Sequence, residues 1–275
     1  MATQALEYNA TLAQRVEISP GLAIFRVVPD GELFAFEPGQ YSVLGLKCKE
    51  PRIPDADPDP EGSKCGEDAE RLIRRAYSIA SSSHEREFVE FYITVVHSGE
   101  FTPRLFNLKI GDRLFLGPKA TGLFTLDQAS PDKHILMIST GTGLAPYISM
   151  VRTRLACNLG RKFVILNGAR YSWDLGYRDE LNFISRLCRN FYFFPVVSRP
   201  EKDPTWNGLK GRVQTILTSG LIEEQTGLSL TPDQFEIFLC GNPGMIEEVV
   251  NLVESRGFAK GDRKNPGTLH VEEYW

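Results

Sequence analysis

The sequence predicts two domains: a small antiparallel β-barrel over residues 1–130, then an α/β domain with a mostly parallel sheet over 131–275. Three observations predict it. A chain of 275 residues exceeds the roughly 100–200 residues of a single domain and can support two cores. Up to residue 117 the text is a series of short β runs punctuated by Gly and Pro, with little helix. From Lys133 onward, short apolar runs alternate with helical stretches, the pattern of βαβ units whose strands are covered on both faces.

Composition narrows the class. Hydrophobic content of 42% and charged content of 24% are those of an ordinary globular protein. A net charge of −4 argues against a general nucleic-acid binder. No run of about 18 apolar residues predicts a membrane span, and residues 1–12 lack the basic and apolar regions of a secretion signal. Five cysteines without CxxC spacing and four histidines without helical pairing predict no metal site. The odd cysteine count points to a reducing, cytoplasmic setting. Redox chemistry here would need an organic cofactor.

Residues 10–18 and 22–28 read as strands joined by the turn Ser19-Pro20-Gly21. Phe36 to Tyr41 is a turn into a strand over 41–46. Residues 51–66 then carry Pro51, Pro54, Pro58 and Pro60 among acids, with too little apolar surface to offset the entropy of ordering. That predicts a mobile surface loop, flanked by Cys48 and Cys65 either as free thiols or as a disulfide closing it. Next comes Arg75-Ala76-Tyr77-Ser78. Alternate strand positions share a face, so Arg75 and Tyr77 point one way and Ser78 the other. A guanidinium for phosphate, a ring for stacking and a small hydroxyl suit a flavin nucleotide; the alternative is an exposed arginine beside an ordinary tyrosine. Strands over 88–96 and 113–117 complete the barrel, with a short helix over 103–108 between them. Thr102 opens that helix, as a cap or as part of an anion site.

In the second half, His134 to Ser139 reads as a buried parallel strand. Gly141-Thr142-Gly143 then lets the backbone approach a pyrophosphate, and Pro146 suits the first turn of the following helix. Strands over 162–169, 191–198, 236–240 and 268–272 alternate with helices over 174–189, 211–219 and 243–255. Ligands of such sheets lie beyond the carboxyl ends of the strands, which singles out residues 140–143, 168–170, 198–199 and 240–243. Arg170, Arg199 and Arg212 fall at that edge, where guanidinium groups bind a dianionic phosphate bidentately. The 2′-phosphate of NADP(H) is therefore favoured over NAD(H). Three solvated arginines are the alternative.

The motifs Gly39-Gln40-Tyr41, Arg75-Ala76-Tyr77-Ser78, Gly141-Thr142-Gly143-Leu144-Ala145-Pro146, Val197-Ser198-Arg199, Cys240-Gly241-Asn242-Pro243-Gly244-Met245 and Tyr274-Trp275 run in order along almost the whole chain. Together they resemble the ferredoxin–NADP(H) reductase superfamily, its bacterial ferredoxin/flavodoxin–NADP(+) reductases most of all. The resemblance implies FAD on the barrel and NADP(H) on the α/β domain, whose C-terminal tail returns to the flavin. For FAD it implies Arg75 on the pyrophosphate, with Ala76 beside it, Tyr77 against the isoalloxazine and Ser78 near flavin N5. Phe91, Tyr92 and Ile93 would line the flavin, Gly99 and Thr102 close over its phosphates, and Tyr274 or Trp275 pack near it. Thr142 would reach the junction with the nicotinamide. For NADP it implies Gly141, Gly143, Arg170, Ser198, Arg199 and Arg212, with Asn242, Pro243 and Glu247 along the nicotinamide half. Ser78 and Cys240 would stand at the hydride-transfer site, Cys240 alternatively being a small buried strand residue.

The implied reaction passes a hydride between NADP(H) and flavin N5 and single electrons to or from an acidic carrier, ferredoxin or flavodoxin. Arg71, Arg74, Arg104 and Lys109 would steer that carrier. A monomer is expected, without metal, nucleic-acid or membrane partners. Two other readings keep the flavin: an NADH-dependent reductase component serving an oxygenase, and a non-catalytic flavin-binding module. The insert over 51–66 and the Trp275 ending depart from the commoner family pattern.

Overall fold

In the computed structural model, which describes residues 7–261 and 267–273, the chain divides into two units, Met1–Gly122 and Leu123–Trp275. In the first, β1 (Ala10–Ser19), β2 (Leu22–Pro29), β3 (Tyr41–Lys47), β4 (Leu72–Ser78), β5 (Val89–Thr94) and β6 (Arg113–Leu116) form an antiparallel sheet ordered β4-β3-β6-β1-β2-β5. A bridge between Ile79 and Phe91 joins the two ends of that order and closes the barrel. Period-two alternation fills its interior: Leu12, Phe25, Leu44, Ile73, Phe91 and Leu114 are fully buried or nearly so. One short helix, α1 (Thr102–Asn107), follows β5.

The insert over 51–66 corrects two expectations. It is not a loose loop but a cross-braced one. The buried Arg104 side chain donates to both carboxylate oxygens of Asp59 (2.7 and 2.8 Å), to the Cys48 carbonyl (3.0 and 3.2 Å) and to the Glu100 carbonyl (2.7 Å). Arg52 shares Asp59 from the other side at 2.5 Å and reaches the Gly99 carbonyl at 3.0 Å. Composition measures only apolar burial; the order comes instead from charge-assisted hydrogen bonds to an arginine far along the chain. The second correction concerns cysteine. Cys48 is bonded to Cys65, with Cα atoms 5.0 Å apart, and Cys157 to Cys188 at 4.7 Å, leaving Cys240 as the free thiol. The odd count concealed two pairs.

The second unit holds β7 (His134–Thr140), β8 (Phe163–Ala169), β9 (Phe191–Val197), β10 (Leu209–Lys210), β11 (Phe235–Gly241) and β12 (Leu269–Glu273), all parallel in the order β10-β9-β8-β7-β11-β12. Its helices are α2 (Ala145–Arg154), α3 (Arg178–Leu187), α4 (Val213–Thr218), α5 (Leu221–Thr226) and α6 (Pro243–Glu254). The helix expected over 174–189 starts later, at Arg178, because Tyr177 takes a left-handed conformation (φ 59°) just before it, after a short turn over Ser172–Asp174. No local propensity announces a left-handed tyrosine. The strand β12 is held by a buried pair: the His270 ring lies 2.8 Å from the Glu236 carboxylate, which also accepts from the Ser130 N–H. Strand order runs outward from β7 to β10 and then returns to the other side of β7. The reversal falls between β7 and β11, where such sheets bind ligands beyond the strand ends.

Candidate functional site

The strand β4 pairs with β3 so that Ser78 faces Tyr41, Tyr77 faces Ser42 and Ala76 faces Val43. Alternation puts Arg75 and Tyr77 toward the turn that follows β5. There the Tyr77 ring packs on Phe101, centroids 5.8 Å apart, and the Arg75 Nη2 pairs with the Glu100 carboxylate at 3.2 Å. Arg71 meets the other Glu100 oxygen at 2.9 Å. Burial pushes the Tyr77 hydroxyl pKa up, so the ring stays neutral. Leu72, Arg74 and Ala76, with Val43 and Arg75, line an open depression of about 420 Å³. Ser78 is buried. Phe91, Tyr92 and Ile93 are buried too, Phe91 and Ile93 within the barrel core. The Gly99 N–H bonds the Val96 carbonyl, and the Thr102 hydroxyl bonds both the N–H and the carbonyl of Val96. Those donors hold a tight turn together.

At the reversal point the ends of β7 and β11 press against each other. The Thr140 hydroxyl accepts from the Asn242 N–H at 3.0 Å. A Cβ at Gly143 would overlap the Cys240 carbonyl, and one at Gly241 (φ 148°) would overlap the Thr140 hydroxyl. Only glycine permits this approach. Gly143→Ala is expected to force the strand ends apart, costing about 1–3 kcal/mol, read as a lower midpoint of denaturant unfolding. An unchanged midpoint would mean the strand ends part freely. Thr142 and Gly141 lie on the turn just beyond β7, half-buried. Asn242 caps α6 by accepting from the N–H groups of Gly244 and Met245, with Pro243 in its first turn and Glu247 exposed beyond. Cys240 is fully buried, and burial raises its thiol pKa.

Three arginines gather on the opposite side of β7. Ser198 N–H bonds the Ala169 carbonyl at 2.9 Å and Arg199 N–H the Arg170 carbonyl at 3.1 Å, so the segments after β8 and β9 run side by side. Gly211 N–H bonds the Val197 carbonyl at 2.9 Å, which brings Arg212 to the same edge. All three arginine side chains are exposed; Arg212 sits 3.7 Å from Glu248. Sequence reasoning missed what adjoins them. Tyr171 and Trp173 stack with centroids 4.6 Å apart and planes 16° from parallel, although Trp173 is 48% exposed. An aromatic pair two residues apart just past a strand end was the available signal.

The expected steering patch is smaller than the sequence suggested. Arg104 is buried against Asp59, and Arg71 is spent on Glu100, leaving Arg74 and Lys109 exposed. Among the described residues no cluster of His, Cys, Asp and Glu is placed to hold a metal ion, and no helix is long and apolar enough to cross a membrane. Tyr274 and Trp275 lie outside the described residues.

Residues 65–123 match the family described as oxidoreductase FAD-binding domain, and residues 137–251 the oxidoreductase NAD-binding domain. The ferredoxin–NADP reductase of Pseudomonas aeruginosa is 32% identical over 74% of this chain and 80% of its own. Ferredoxin–NADP reductase A of Sorangium cellulosum is 33% identical over 87% of this chain and 80% of its own. A crystal structure of a ferredoxin NADP+ reductase from Neisseria gonorrhoeae with bound FAD and NADP shares the fold at a TM-score of 0.80 and 23% identity, covering 97% of this chain and 98% of that one. The cytochrome b5 reductase domain of Ulva prolifera nitrate reductase shares it less closely, at 0.71 and 20%, covering 98% of each chain. With a closed barrel, a parallel sheet that reverses at β7 and relatives matched over most of their length, the chain belongs to the ferredoxin/flavodoxin–NADP reductase family.

Proposed function

We propose that this chain is an FAD-dependent reductase exchanging electrons between NADP(H) and a one-electron carrier, ferredoxin or flavodoxin. Family membership supports the reaction, and the exposed cluster of Arg170, Arg199 and Arg212 at one strand edge supports the coenzyme. The chemistry FAD supplies when bound is hydride exchange with a nicotinamide and single-electron exchange with a carrier. A flavin nucleotide fits the first unit, where Arg71 and Arg75 already gather around one carboxylate anion and half of the Arg75 side chain faces solvent. NADP fits the second, where the backbone at Gly141 stands open just beyond β7 and three exposed arginines lie at one strand edge.

The roles follow from these positions. Arg75 binds the pyrophosphate, with Ala76 leaving room beside it; Tyr77 covers the ring system and keeps water from it; Ser78 orients the reacting nitrogen by a hydrogen bond. Gly99 and Thr102 shape the turn beside the phosphates. Ser198 and the three arginines hold the 2′-phosphate, and the Tyr171–Trp173 stack offers an aromatic face for the adenine. Gly141, Thr142, Gly143, Asn242, Pro243 and Glu247 form the nicotinamide half, and Cys240 backs it as a neutral thiol. Arg74 and Lys109 steer an acidic carrier toward a monomeric enzyme.

Anaerobic reduction tests the reading. The purified protein is expected to show a flavin spectrum that NADPH bleaches at least about tenfold faster than NADH does, a difference of about 1.4 kcal/mol in transition-state stabilisation. Equal bleaching by NADH would transfer the chain to the oxygenase-serving alternative. Absence of any flavin would remove the reductase reading.

A further inference from the structure

Two guanidinium groups from separate stretches of the chain converge on the Glu100 carboxylate. Arg71 reaches one oxygen at 2.9 Å and Arg75 the other at 3.2 Å. The carboxylate is only 12% exposed, whereas Arg75 is 50% exposed. Ser63 of the insert, ahead of Arg71, holds the Glu100 carboxyl below the usual carboxylate range against the opposing effect of burial. The backbone carrying Glu100 is fixed by the same insert. Arg104 donates to the Glu100 carbonyl, Arg52 to the Gly99 carbonyl, and Asp59 ties these two arginines together. The disulfide between Cys48 and Cys65 closes the base of the brace, with Arg71 Nη2 3.4 Å from the Cys65 sulfur.

An acid this close to a pyrophosphate ligand would ordinarily repel the phosphates. Here Arg71 cancels its charge, so what remains is geometry: a long, half-exposed arginine held in one orientation before any ligand arrives. We propose that Glu100 is a positioning residue for the flavin nucleotide, braced by the 51–66 insert so that it fixes the Arg75 guanidinium for the pyrophosphate. This rests on the reading that the chain binds FAD through Arg75. The insert, a departure from the family pattern, thereby acquires a role in cofactor retention.

The test follows FAD release from the holoprotein into flavin-free buffer, by the rise in flavin fluorescence, for the wild type, Glu100→Gln, Arg75→Ala, the double variant, Glu100→Asp and Ser63→Ala. Glu100→Gln is expected to release FAD about tenfold faster, Ser63→Ala about twofold faster, and Glu100→Asp to restore part of the loss. In the Arg75→Ala background, Glu100→Gln is expected to add less than about twofold, because its effect runs through that guanidinium. A merely structural role would instead add its full factor there, and that result overturns the proposal. So does slower or unchanged release from Glu100→Gln while Arg75→Ala releases FAD faster. If Arg75→Ala retains FAD as the wild type does, or the wild type holds none, the parent reading of Arg75 has failed and the proposal goes with it.

Discussion

Arg199→Ala is expected to raise the KM for NADPH by about 10–100-fold while leaving that for NADH within about twofold. A hydrogen bond to a charged group contributes about 1.5–3 kcal/mol, and each 1.4 kcal/mol is about tenfold in affinity. The two coenzymes differ only in the 2′-phosphate, so the ratio isolates that contact. Arg199 is exposed and its N–H is bonded to the Arg170 carbonyl, so truncating the side chain leaves the strand edge intact. Arg212→Ala is expected to do less, since that guanidinium already sits 3.7 Å from Glu248. The loss should also shrink as salt is added, because screening weakens the wild-type contact first. Steady-state kinetics with both coenzymes decide it. An equal rise for NADH, or none for NADPH, would place the phosphate elsewhere.

Asp59→Ala is expected to be the most destabilising single change outside the hydrophobic cores. It strips the carboxylate from Arg104, whose side chain is 4% exposed, and leaves a buried cation with carbonyls as its only partners. Breaking a buried pair from one side costs about 3–5 kcal/mol. At about 2–4 °C per kcal/mol for a domain of this size, the thermal midpoint falls by about 6–20 °C. The pH dependence has a defined sign. The Arg104 hydrogen bond, with further help from Arg52, holds the Asp59 carboxyl below its ordinary range. A carboxyl with a lowered folded-state pKa stabilises the fold above its unfolded pKa, and that contribution is lost as pH falls through the folded pKa. The gap between wild type and variant should therefore be constant from about pH 5 to 8 and close progressively below about pH 4. Scanning calorimetry across that range checks it; a gap that widens in acid would refute the pairing.

What the sequence disclosed follows the range over which each signal acts. The shared face of Arg75 and Tyr77 was legible because strand alternation is local, and the structure turns both toward Glu100 and Phe101. The apolar run before Gly141-Thr142-Gly143 was legible as a buried strand for the same reason. Glu100 was not, because its partners arrive from 25 and 29 positions away and no periodicity links them. The ordering of the insert escaped notice because four prolines and a run of acids resemble disorder until the arginines that neutralise them are in place. The stack of Tyr171 on Trp173 depends on a turn geometry, with Ser172 N–H bonded to Asp203, that residue identities do not encode.

The placement of β7 at the middle of its sheet bears on how the chain can be made. One neighbour, β8, follows it within a single helical crossover; the other, β11, emerges from the ribosome only after β8, β9, β10 and α5. Until then β7 presents an unpaired row of amides beneath an almost wholly apolar strand, an open template for another nascent chain. Synthesis stalled ahead of β11 should therefore yield an aggregation-prone half-sheet, while the barrel, whose six strands are complete by Leu116, has already left the ribosome whole.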